Sequence, residues 1–68
     1  MGERLLNSLR SERERLGLTQ AALAQAVGVS RKTISTDENG VFLPSTLLAL
    51  KFARAVGRPV EKLFILFD

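Results

Sequence analysis

Apolar positions recur along the chain at helical spacing, and small or conformationally special residues interrupt them at short intervals. Punctuation falls at Gly17, Gly28, Gly40, Pro44, Gly57 and Pro59, dividing the chain into segments of helix length. Leu5, Leu9 and Leu16, with charges between them, predict a first helix from about Glu3 to Leu16, ended by Gly17. Thr19 is suited to cap a second helix through Val27 that buries Leu23, Ala24 and Val27, and Gly28 stops it. Ser30 is suited to cap a third with Ile34 facing inward, and Asn39-Gly40 marks its end. Ser45, after Pro44, starts a fourth helix to Val56, with Gly57 as its stop and Pro59 barring continuation. From Val60 the tail reads as one helical turn leading into Leu63-Phe64-Ile65-Leu66-Phe67, an apolar run that suits helix and strand equally. No other segment reads as a strand, so the expected fold is all-α.

Sixty-eight residues make one domain, 1–68, whose core is thin for lack of buried volume. The chain has no Cys and no His, which removes disulfides, Cys/His metal sites, thiol nucleophiles and the imidazole base together. Helix packing or a partner subunit must then supply the stability. Seven carboxylates without His, Cys or a glycine-rich phosphate loop make no credible catalytic set, so an enzyme is not expected and neither a metal nor a cofactor is implied. No small-molecule pocket can be argued from so short a chain. No stretch approaches the roughly 18 apolar residues of a membrane span, and Met1-Gly2-Glu3-Arg4-Leu5-Leu6 lacks the features of a signal peptide. A cytoplasmic protein is the expectation.

Net charge is +3, a mild excess that favours a nucleic-acid partner only weakly. The stretch from Gln20 to Asn39 says more. Two short helices joined by a tight turn form a helix-turn-helix unit, and its demands are specific. The helices cross at close range, which needs a small residue, and Ala24 supplies it. Gly28 supplies the residue at ease with positive φ. Val29 and Ile34 pin the second helix of the pair, while Arg31, Lys32, Thr33, Ser35 and Thr36 leave its other side polar.

Gly17-Leu18-Thr19-Gln20-Ala21-Ala22-Leu23-Ala24-Gln25-Ala26-Val27-Gly28-Val29-Ser30-Arg31-Lys32-Thr33-Ile34-Ser35, followed by Glu38-Asn39-Gly40, resembles the phage repressor/Cro family, also called the Xre family. Pro44-Ser45 and Ala53-Arg54-Ala55-Val56-Gly57 extend the resemblance over nearly the whole chain. It implies a compact five-helix repressor-like domain whose third helix, about 30–38, enters the major groove of double-stranded DNA. It implies that Gln20 meets the DNA backbone, that Arg31, Lys32, Thr33 and Thr36 reach base edges or flanking phosphates, and that Asn39 touches phosphate. It also implies a structural ion pair between Arg13 and Glu38. The chemistry agrees: Arg and Lys can engage guanine or phosphate, and the hydroxyls of Ser30, Thr33, Ser35 and Thr36 suit phosphates or bases. Backbone N–H groups at the starts of the second and third helices add anion affinity.

Two places depart from the family pattern. Asp37 stands where an aliphatic or aromatic residue is usual, and an acid there is expected to find a partner or sit exposed. Val41-Phe42-Leu43 is apolar where the family often carries basic residues, and is expected to pack inward or against a partner. The fourth helix and the tail together hold more apolar surface than a monomer of this size would bury, which points to a homodimer. Residues Leu63, Phe64, Ile65, Leu66 and Phe67 are its expected interface, with strand pairing across a two-fold axis as one form of it. The function expected is sequence-specific DNA binding in transcription regulation, by a homodimer reading a palindromic operator. The alternative is a protein-interaction module on the same fold, an antitoxin-like partner or a fragment of a larger regulator.

Overall fold

A computed structural model describes residues 4–40 and 44–67. Along the chain run β1 (Arg4–Asn7), α1 (Leu9–Arg15), α2 (Gln20–Val27), α3 (Arg31–Glu38), α4 (Thr46–Val56), α5 (Val60–Leu63) and β2 (Phe64–Phe67). The helical architecture follows the expected punctuation closely. Thr19, Ser30 and Ser45 each sit extended at an N-cap and accept a backbone N–H from Ala22, Thr33 and Leu48 respectively, satisfying one of the donors a helix start leaves unpaired. Gly28 adopts φ 79°, and the N–H groups of Gly28 and Val29 both close on the Ala24 carbonyl. That closure turns the chain sharply enough for α3 to cross α2.

The N-terminal segment corrects the sequence reading. Instead of one helix from about Glu3 to Leu16, the chain runs extended over Arg4–Asn7 and turns helical only at Leu9. The local signal was helical, but the backbone bonds of this segment lie far away in sequence. β1 pairs antiparallel with β2, Leu6 opposite Ile65 and Asn7 opposite Phe64. Ser8 N–H then donates to the Leu63 carbonyl at 2.8 Å, and the Ser8 hydroxyl donates to that of Lys62 at 2.9 Å. Asn7 starts the helix that follows: its Oδ1 accepts the Leu9 N–H at 3.2 Å, while its Nδ2 donates to the Asp37 carbonyl at 2.7 Å. The tail is therefore a strand over Phe64–Phe67, paired along one edge with the chain's own N-terminal strand. Leu63, expected at a dimer interface, belongs to α5 and is fully buried in the core.

That core comprises Leu9, Leu23, Ala24, Val27, Ile34, Phe52, Val56 and Leu63, drawn from all five helices. Leu16, expected on the inner stripe of the first helix, is exposed beyond its end. Beside the core lies one ion pair that ties three helices together. The Arg13 guanidinium donates from Nε to Glu38 Oε2 at 2.7 Å and from Nη2 to Oε1 at 3.2 Å, and its Nη1 donates to the Leu18 carbonyl at 2.8 Å. The Glu38 side chain is 1% exposed and that of Arg13 10%. The carboxylate raises the arginine's pKa, mainly through this hydrogen bonding.

Asp37 runs against expectation: it is 3% exposed, and its Oδ2 has no hydrogen-bond partner among the described residues. Burial pushes its carboxyl above the usual aspartate range. The physical reason is positional. Ile34 and Asp37, three residues apart, share the inner face of α3, so anchoring Ile34 in the core carries Asp37 in with it. Val41-Phe42-Leu43 lies outside the described residues.

Two outcomes are expected in denaturation experiments. Glu38→Ala leaves Arg13 charged and buried and should cost about 3–5 kcal/mol, whereas replacing both partners by apolar residues should cost far less. Asp37→Ala should stabilise the fold by about 1–3 kcal/mol at about pH 7 by removing an unsatisfied buried group. The unfolded carboxyl releases its proton at lower pH than the folded one. The native penalty therefore grows as pH rises from 3.8 through the folded pKa, and the gain from Asp37→Ala should shrink in acid. Equal gains at about pH 4 and about pH 7 would show that ionisation is not the source.

Candidate nucleic-acid interface

The outer side of α3 is assembled from the N-cap onward. Ser30 accepts the Thr33 N–H at 3.1 Å, and its hydroxyl lies 3.0 Å from the Thr33 hydroxyl, so the first turn is closed by side chains that remain at the surface. Thr36 donates its hydroxyl proton to the Thr33 carbonyl at 3.0 Å, leaving its oxygen lone pairs free to accept. With Ile34 and Asp37 directed inward, Arg31 and Lys32 stand exposed at the start of the helix, and Thr33, Ser35 and Thr36 are half-buried along it. Two stripes result. Arg31 and Ser35, four residues apart, form one, and Lys32 with Thr36 forms the other, Thr33 lying beside it.

The second stripe borders a groove. Ser30, Lys32, Thr33, Thr36 and, at its floor, the mostly buried Asp37 line about 380 Å³ together with Pro44, Ser45 and Leu48 from the approach to α4 and its first turn. The sequence reading assigned Ser45 only as a helix cap. Its place beside α3 depends on how α4 crosses, which no local pattern discloses. Asn39 is exposed at the C-cap of α3, away from this groove. Gln20 opens α2, and its Nε2 donates to Glu38 Oε1 at 3.3 Å. The carboxylate that holds Arg13 therefore also orients this amide, whose second N–H remains available.

Charge sharpens the picture. Glu14 pairs with Arg10, Glu38 with Arg13, and Glu12 with both Arg15 and Arg58. Those two arginines hold the Glu12 carboxyl below its ordinary range. Arg31 and Lys32, by contrast, pair with no carboxylate among the described residues. The charge is thus not spread evenly: among the described residues Glu12, Glu14 and Glu38 are engaged by arginines elsewhere, and the cations of α3 stand unneutralised.

Comparison with known proteins agrees with this geometry. The helix-turn-helix family model matches residues 9–63. An uncharacterised HTH-type transcriptional regulator of Methanothermobacter thermautotrophicus is 51% identical over 59 residues, covering 85% of this chain and 86% of its own. One from Methanocaldococcus jannaschii is 44% identical over 62 residues, covering 91% and 94%. Among solved structures, the P22 c2 repressor protein, crystallised in complex with synthetic operator 9T in the presence of Tl+, superposes with a TM-score of 0.76 at 32% identity. The match covers 78% of this chain and 80% of that one. From the caps of its helices to the crossing of α2 and α3, this chain belongs to the helix-turn-helix family of transcriptional regulators.

Proposed function

We propose that the protein is a cytoplasmic, sequence-specific DNA-binding transcription regulator that inserts α3 into the major groove of a palindromic operator as a homodimer. The observation that carries the reading is the outer side of α3: two exposed cations without carboxylate partners among the described residues, beside hydroxyl groups, on a helix whose apolar side is anchored by Ile34. That pattern answers what a groove offers. Arg31 and Lys32 can engage guanine O6 and N7 or neutralise phosphate, and Thr33, Ser35 and Thr36 can serve base edges or phosphate oxygens. Gln20 and Asn39, at the two ends of the unit, take the flanking phosphates, with Ser30 and the helix starts adding N–H donors. The likeness to a repressor caught on its operator supports the same reading.

A second copy supplies the two-fold symmetry of a palindrome, with the paired α3 helices about 34 Å apart, one turn of B-DNA. The copy-to-copy contact we propose uses the exposed faces of the terminal sheet. Leu6, Ile65 and Leu66 stand there in water, on strands already paired to each other.

Selection of bound fragments from random DNA, followed by gel shift, tests the core of this reading. Arg31→Ala and Lys32→Ala should each weaken binding to the selected site by roughly 1–3 kcal/mol for a base contact, and affinity should fall steeply with salt. Undiminished binding by both variants would remove α3 as the reading helix. Selected sites should also show two-fold symmetry. Ile65→Glu should shift the protein toward monomer in light scattering, and a wild-type chain that stays monomeric at high micromolar concentration would remove the dimer.

A further inference from the structure

α4 has two flanks with different neighbours. Leu48 and Ser45 lie toward the α3 groove, whereas Leu47, Leu50, Lys51 and Arg54 line a separate groove of about 280 Å³. Their spacing, three, four and seven residues on from Leu47, makes them one continuous stripe. Leu47 is 66% exposed and Leu50 53%, among the largest apolar exposures in the described residues. Lys51 and Arg54 pair with no carboxylate among those residues. They also border a second groove, about 460 Å³, whose other wall is the end of α2 at Gln25, Ala26 and Gly28. Two cations therefore stand on a ridge between two shallow channels, with leucines alongside.

We propose that this flank of α4 is a docking surface for an acidic amphipathic helix of another protein. Such a helix sets its leucine-type face against Leu47 and Leu50 and brings its carboxylates to Lys51 and Arg54, the helix-in-groove mode of recognition. The surface is complementary to that chemistry in both apolarity and charge. A second copy of this chain fits it less well. Across a two-fold axis Lys51 and Arg54 would meet their own kind, and Glu12, Glu14 and Glu38 are already engaged within each copy. Asp37 is buried, which leaves one Glu61 per copy among the described carboxylates to answer the two cations of its partner. DNA fits poorly too, because two exposed leucines would lie against phosphates.

The proposal goes beyond the DNA reading and can fail without it. The probe is a capped synthetic peptide of about 18 residues, long enough to hold a helix, with leucines along one face and glutamates elsewhere; its counterpart carries lysines for the glutamates. Titrated into the isotope-labelled full chain, the acidic peptide should bind saturably and shift the amide resonances of Leu47, Leu50, Lys51 and Arg54 and those of Gln25 and Ala26. Leu50→Ser and Arg54→Glu should each weaken it by about tenfold, and the lysine peptide should not bind. Both variants should keep operator binding, which separates this surface from α3. Four results would overturn the proposal: no saturable binding, shifts centred on α3 or the sheet, α4 resonances that move when the protein alone is diluted (a twin on this face), or stronger partition to anionic vesicles than to the peptide.

Discussion

The orientation of α3 depends on one buried ion pair. Arg13 reaches from α1 to Glu38 at the last turn of α3, and on the way its third donor holds the Leu18 carbonyl in the loop before α2. Hydrophobic contact between α2 and α3 is non-directional and would tolerate a range of crossing angles. A two-point guanidinium–carboxylate contact is not, because both groups are planar and the fork admits one geometry. Desolvating the two charges offsets much of their attraction, so the pair is poor evidence of net stability and better evidence of register. Gln20 joins the same carboxylate. One acid thereby fixes the end of α3, the start of α2 and the direction of an amide at the edge of the interface.

How much of this is legible in the sequence follows from the range of each interaction. Thr19, Ser30, Ser45, Gly28 and Gly57 act on residues within a turn of themselves, and the helices they bound stand where the pattern puts them. β1 was hidden because its determinants are distant. Leu5 and Leu9 satisfy a helical stripe as well as they satisfy anything, and only β2 and the Ser8 bonds to Lys62 and Leu63 decide against it. Asp37 was hidden for a related reason. Its type argues for the surface, but its spacing from Ile34 argues for the core, and packing outranked the preference of one side chain. At the candidate interface, the exposure of Arg31 and Lys32 follows from the pattern of α3, while the groove that α3 shares with Ser45 and Leu48 depends on the crossing of α4.

Charge is distributed by the same economy of pairing. Three glutamates are engaged by arginines of α1 and by Arg58, so the start of the chain is internally neutralised in spite of its density of ions. Among the described residues, the cations left without a carboxylate are Arg31 and Lys32 on α3, Lys51 and Arg54 on α4 and Lys62 on α5. A composition of ten cations and seven acids therefore understates the field at each of these places. Net charge is a weak guide to a partner when some of the acids are already engaged by cations elsewhere in the fold.

Apolar surface follows a parallel logic. A chain of this size has too little interior to hide every leucine it carries, and α4 must contribute Phe52 and Val56 to the core while turning another side outward. The exposed residues are not scattered. Leu6, Ile65 and Leu66 gather on the terminal sheet, where Arg4 is the single charged strand position; Leu47 and Leu50 gather on α4, beside Lys51 and Arg54. A largely apolar patch can meet its own copy at less electrostatic cost than one edged by two like charges. The two faces thus differ in what they can accept. That difference is why the proposed self-association uses the sheet and the proposed acidic partner uses α4, neither of which covers the outer side of α3.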